Sequence, residues 1–176
     1  MTPRVLCAGI GNIFFSDDGF GCEVARRLHS VPLPEGVHVE DYGIRGVHLS
    51  YELLDGYDAL VLIDAMPVGE EPAGTVVVLE PDPPPPPGED PEVPGIDAHT
   101  MSPLVVLNTL ANLGGSVDRI LVVGCQPLTI EEGMGLSEPV AAAVDRAVEI
   151  VSELLTEIVG DLLTDVCQPA GRETRT

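Results

Sequence analysis

Five consecutive apolar residues, Ala59-Leu60-Val61-Leu62-Ile63, close on a single charge at Asp64. A run of this length with no polar alternation has no face to turn to water. It reads as a strand covered on both sides, as in a parallel sheet held between two layers of helix. The next apolar run, Thr75-Val76-Val77-Val78-Leu79, follows after about ten residues that include Gly69, Pro72 and Gly74. That connection is too short for a helical crossover, so this fourth strand is expected to be antiparallel and at a sheet edge.

A second feature fixes how the chain enters that sheet. Val5-Leu6-Cys7-Ala8 reads as a buried strand, and Phe20, Val24 and Leu28 have helical spacing. Between them runs Gly9-Ile10-Gly11-Asn12-Ile13-Phe14-Phe15-Ser16-Asp17-Asp18-Gly19, a glycine turn ending in two adjacent carboxylates. Negative charge at a helix N-terminus is favourable by roughly 0.3–1 kcal/mol, and Ser16 or Asp17 suits the N-cap position. One aspartate fills that role, which leaves Asp18 in need of another explanation. A dinucleotide fingerprint is disfavoured. Phe14 stands where a third glycine is required, and a pyrophosphate would face both aspartates.

The remaining pattern is alternating. Residues 37–40 form a second strand ending near Asp41, and a loop with Gly43, Arg45 and Gly46 leads to a short helix through Leu49 and Leu53 that stops at Gly56. Ser102-Pro103 opens a further helix that ends at Gly114-Gly115, residues 119–124 form a fifth strand, and Ser137 caps a long helix expected to end near Gly160. Residues 81–94 are dominated by proline and acids and read as a solvated surface loop. The expectation is a single α/β domain over residues 1–160, a three-layer α/β/α sandwich with a mostly parallel sheet, followed by a polar tail over 161–176.

Composition excludes several functions. With 29 acidic residues against 8 basic ones, all of them arginine, the formal charge is −21. Such a chain is repelled by nucleic acid and by anionic membrane surfaces. No run reaches the roughly 18 apolar residues of a membrane span, and the start shows no signal segment, so a cytoplasmic protein is expected. Cys7, Cys22, Cys125 and Cys167 form no C-x-x-C pair, which reads as reduced structural thiols rather than a zinc site or disulfide framework.

In folds of this class ligands sit beyond the carboxyl ends of the strands. Asp18 follows the first strand, Asp64 ends the third, and His99 precedes the helix opened by Ser102-Pro103. Two carboxylates and an imidazole form an incomplete coordination shell for a divalent transition metal, with positions left for water or a partner. Each has a plainer reading: a dipole-complementing acid, a loop-supporting acid and an ordinary loop histidine. His29, His38 and His48 read as surface or structural residues. Arg45 is either solvated or a contact for a partner's carboxylate or backbone.

These blocks resemble the [NiFe]-hydrogenase maturation proteases. The likeness runs through Gly9-Ile10-Gly11-Asn12, Asp17-Asp18-Gly19-Phe20-Gly21, Leu62-Ile63-Asp64-Ala65, the His99 segment, Val123-Gly124-Cys125-Gln126-Pro127 and Gly135-Leu136-Ser137. It implies a mixed five-stranded sheet of order 2-1-3-5-4 with strand 4 antiparallel, and Asp18, Asp64 and His99 at the metal-contacting positions. It further implies that nickel arrives in the hydrogenase large-subunit precursor, whose C-terminal extension a monomeric enzyme removes, other divalent metals being able to substitute. Asp18 or Asp64 would activate water, with the metal polarising the carbonyl or anchoring the substrate. The loop Asp41-Tyr42-Gly43-Ile44 departs from the family's usual Asp-Gly-Gly-Thr, and Asp18 stands where some members carry glutamate. A non-catalytic assembly factor binding the same precursor would use the same residues. A metal-dependent small-molecule hydrolase or phosphatase would need a basic group, for which Arg45 is the nearby candidate.

Overall fold

In the computed structural model, residues 2–81 and 103–167 are described. Residues 82–102 and 168–176, which include His99, most of the proline-rich loop and the last part of the expected tail, lie outside them. The sheet contains β1 (Val5–Ile10), β2 (Val37–Gly43), β3 (Ala59–Ala65), β4 (Val76–Leu79) and β5 (Arg119–Cys125) in the order β2-β1-β3-β5-β4. β1 pairs in parallel with β2 and β3, β3 pairs in parallel with β5, and β4 runs antiparallel to β5. The short connection between the third and fourth strands therefore has the consequence expected of it.

Side-chain alternation sorts the two strongest strands onto two cores. Val5, Cys7, Val61 and Ile63 face α1 (Phe20–Leu28) and α4 (Glu138–Cys167), meeting Phe20, Val24, Val144, Val151 and Leu155. Leu6, Ala8, Leu60 and Leu62 face α2 (Gly46–Leu53) and α3 (Pro103–Asn112), meeting Leu49, Leu53, Val106, Leu107 and Leu110. Every residue of β1 and β3 is buried, as an unbroken apolar run requires. Each fully buried aliphatic side chain contributes about 1.5–3 kcal/mol.

One boundary differs from expectation. α4 does not stop at Gly160 but continues to Cys167. A helical glycine disfavours the helix by only about 1 kcal/mol relative to alanine. Ile158 and Val159 are buried immediately before it and Leu162 packs on the same core, so packing carries the helix through. The first seven residues of the expected tail are thus helical.

The close approach of α1 to the sheet rests on Gly21. A Cβ at this position would lie 2.1 Å from the Ile63 carbonyl oxygen and 2.4 Å from that of Ile10. The helix can therefore sit directly against the carboxyl ends of β1 and β3 only with no side chain there.

Candidate functional site

At the carboxyl end of β1 the chain turns through Gly11, at φ +129°, where a Cβ would fall 1.9 Å from the Asp18 carbonyl oxygen. This contact folds the segment back, so that a 3-10 turn at Ser16–Gly19 lies over the strand end before α1 begins. The Asn12 N–H donates to Asp18 Oδ2 at 2.7 Å. Burial pushes the half-buried Asp18 carboxyl above the usual range, against that hydrogen bond.

Asp64 is the sixth of seven residues in β3 and is 3% exposed. Its Oδ1 is buried without a hydrogen-bond partner. Burial, and then the charge of Asp18, push its carboxyl well above the usual range, against a hydrogen bond from the Ala65 N–H. Two of the three expected site residues are therefore brought to the same sheet edge and act on one another electrostatically. The third, His99, lies outside the described residues. Among the described residues no three carboxylate, thiol or imidazole groups converge to hold a metal ion by themselves.

Asp17 has a different task from the one its sequence position suggests. It does not cap α1, whose N-cap is Gly19 with no side-chain cap bond. Its carboxylate is fully buried and accepts hydrogen bonds from Ser137 N–H at 2.6 Å, Ser137 Oγ at 2.8 Å, Leu128 N–H at 2.8 Å and Thr129 N–H at 3.0 Å. Burial raises this carboxyl, but the hydrogen bonds outweigh burial and hold it below the usual range. Asp17 thereby ties the turn bearing Asp18 to the β5–α4 loop. Ser16 beside it, the one described non-glycine residue at positive φ (50°), donates from its N–H to the Gly133 carbonyl at 2.8 Å and from Oγ to the Glu131 carbonyl at 2.9 Å. The energetic penalty of that backbone conformation is met by contacts to the same loop.

Two further residues adjoin the site. The Asp41 carboxylate, at the end of β2, accepts from the Gly43 N–H at 2.9 Å. The Cys22 thiol lies against Gly11, its Sγ donating to the carbonyl oxygen at 3.6 Å. Burial, then the hydrogen bond and charge of Asp41, then the charge of Asp18, push Cys22 far above the ordinary thiol range. It is a protonated thiol wedged between carboxylates, not a nucleophile. Cys7 and Cys125 are likewise buried and free, pushed up by burial to about 12 and about 11 respectively. Nothing in the spacing of Asp41 or Cys22 announces their meeting with Asp18, because it depends on β2 lying beside β1.

Arg45 is spent locally. Its guanidinium donates to the Asp41 and Tyr42 carbonyls and lies 5.8 Å from the Tyr42 ring centre. This leaves it poorly placed to receive an anionic substrate. His29, His38 and His48 are exposed, in keeping with a surface role.

Several known proteins similar to this chain are named hydrogenase maturation proteases or endopeptidases. The family model for hydrogenase maturation protease matches residues 22–154. A Methanocaldococcus jannaschii protein provisionally named a hydrogenase maturation protease is 37% identical over 156 residues, covering 84% of this chain and 93% of its own length. The hydrogenase 2 maturation protease of Escherichia coli is 29% identical, covering 84% and 88%. Among solved structures, the hydrogenase maturating endopeptidase HybD from Escherichia coli superposes with a TM-score of 0.71 at 29% identity, covering 88% of this chain and 93% of its own.

Proposed function

This chain belongs to the hydrogenase maturation protease family, and from that premise we propose that it removes the C-terminal extension of a nickel-loaded [NiFe]-hydrogenase large-subunit precursor, acting as a monomer in the cytoplasm. The observation that carries the reading is the buried carboxylate of Asp64, with Oδ1 unpartnered and Asp18 beside it. A buried carboxylate oxygen without a donor is costly unless a cation or proton meets it in the working state. Oxygen donors from Asp18 and Asp64, completed by the imidazole of His99, suit a divalent transition metal that is itself held mainly by the precursor's thiolates. In this reading the nickel belongs to the substrate, and the enzyme inspects it.

The cleavage then needs little more. Water attacks the scissile carbonyl carbon, one of the two carboxylates takes its proton, and that proton passes to the departing amine as the C–N bond breaks. A carboxyl raised above its ordinary range by burial suits a group that must accept and return a proton. The formal charge of −21 fits a protein substrate better than nucleic acid.

Intact mass spectrometry of nickel-loaded and nickel-free precursor, before and after incubation with the protein, tests this. Loss of one discrete C-terminal peptide from the loaded sample alone is the expected result. Asp64→Asn should lower the rate by about 10²–10⁴-fold, the range for losing a positioned acid–base group, and His99→Ala should abolish processing by removing a metal contact. Unchanged cleavage by both variants would sink the site assignment, and stable association without mass loss would make the chain an assembly factor.

A further inference from the structure

Two concavities flank the carboxylate site. One, of about 450 Å³, lies between α1 and the start of α4, walled by Ile13, Cys22, Met134, Leu136, Ala141 and Val144. The other, of about 290 Å³, lies between the β1 turn and the end of β2, with Phe14, Tyr42 and Ile44 on its walls. Ile13, Cys22 and Asp41 line both, so the two run together as one trough. Ser16 and Gly19, on either side of Asp17 and Asp18, line the larger one. The trough therefore passes directly beside the turn that carries Asp18.

Its walls combine two properties. They are apolar yet exposed: Ile13 is 46% and Met134 75% accessible. They are also fixed. The loops carrying these side chains are joined by a bridge between Phe15 and Gly133, by the Ser16 N–H to the Gly133 carbonyl and by the Gly133 N–H to the Phe14 carbonyl, both at 2.8 Å. Apolar side chains carried on loops whose backbones are already tied together are preorganised to cover something, because little backbone entropy remains to be lost on contact. The arginines at the mouth are already matched: Arg26 and Arg27 both bind Glu23, at 2.6 and 2.9 Å, and Arg27 also meets Asp145. No cation is left over there for an acidic ligand, while the formal charge of −21 discourages one everywhere.

We infer that the cleft between α1 and α4 is a specificity pocket that seats an uncharged, apolar side chain of the substrate polypeptide close to the bond being cut, with the polypeptide extended along the trough past Asp41. The inference rests on the function proposed above and adds the side chain the enzyme selects. An extended chain fits better than a compact small molecule, because the trough continues on both sides of the Cys22–Asp41 seam. Its place beside Asp18 sets the seated residue near the attacked carbonyl.

Ala141 offers a clean test, being exposed on the first turn of α4 and lining the pocket. Ala141→Trp fills the cleft from a position where a large side chain does not disturb the core, and an unchanged melting temperature verifies this. The expected result is a KM for the precursor raised at least about tenfold with kcat within about twofold, the pattern of lost substrate binding rather than lost chemistry. Should that variant misfold, Ile13→Ser on the exposed loop reads the same wall. In parallel, a photo-crosslinking benzoylphenylalanine in place of Met134 should join the precursor within a few residues of its cleavage point, mapped by mass spectrometry. Wild-type cleavage with KM unmoved in a folded filled-cleft variant, or crosslinks confined to distant parts of the precursor, overturns the pocket alone. Failure of the wild type to cleave the loaded precursor overturns the proposed function, while the crosslink still reports on the pocket.

Discussion

Two buried aspartates reach opposite electrostatic ends. Asp17 is fully buried yet held ionised by hydrogen bonds from Leu128, Thr129 and Ser137, whereas Asp64, also buried, has one oxygen with no partner and a second acid close by. The difference lies in donors supplied, not in depth. Replacing Asp64 by asparagine removes an ionisable group from that setting, so Asp64→Asn should fold more stably than the wild type by about 1–3 kcal/mol while losing activity. The sign with pH follows. A carboxyl raised on folding binds its proton more tightly in the folded state, so the wild type loses stability as pH climbs above the ordinary carboxylate range. The advantage of the variant should therefore grow with pH and shrink in acid; urea melts at several pH values measure it, and a variant less stable throughout would contradict the burial argument. That Asp18 and Asp64 come to the same sheet edge was legible in the sequence, because one follows the first strand and the other ends the third. Asp17 was not, since its donors stand 111 to 120 residues away and no local pattern encodes them.

At the scale of elements, the sheet order and the antiparallel fourth strand follow from apolar runs and connection lengths read together with the family likeness. The end of α4 does not, because Gly160 signals a stop that tertiary packing overrides. Gly21 shows the same competition with the opposite sign. Alanine in a helix is favoured over glycine by about 1 kcal/mol, so propensity alone makes Gly21→Ala stabilising. The added Cβ would instead meet the backbone oxygens of Ile63 and Ile10 at 2.1 and 2.4 Å, and backbone cannot step aside as a side chain can. Steric exclusion of this kind outweighs propensity, and α1 must move off the sheet. Gly21→Ala should lose about 3 kcal/mol or more in chemical denaturation and lose activity with it, as Asp18 is carried away from Asp64. A stabilised variant would show that the helix is free to shift.

The whole molecule carries 29 acidic side chains against 8 basic ones, and among the described residues the ion pairs are exposed and few. Exposed pairs contribute at most about 1 kcal/mol each, so they do not offset the repulsion among the unpaired carboxylates. Raising salt from about 0.02 M to about 0.2 M shortens the screening length by roughly threefold and should raise the melting temperature by a few degrees. Calorimetry at the two salt levels checks it, and a melting point that falls with salt would mean attraction prevails over repulsion. The sequence announced this charge openly, but not that the β1–α1 turn meets the β5–α4 loop. That meeting has a consequence in time. The turn bearing Asp18 is shaped by partners at Thr129, Glu131, Gly133 and Ser137, which a ribosome delivers more than a hundred residues after the aspartate itself. A chain stopped short of Ser137 holds both carboxylates but lacks the partners that shape their turn, so under the proposed function it cuts nothing until the β5–α4 loop has been made.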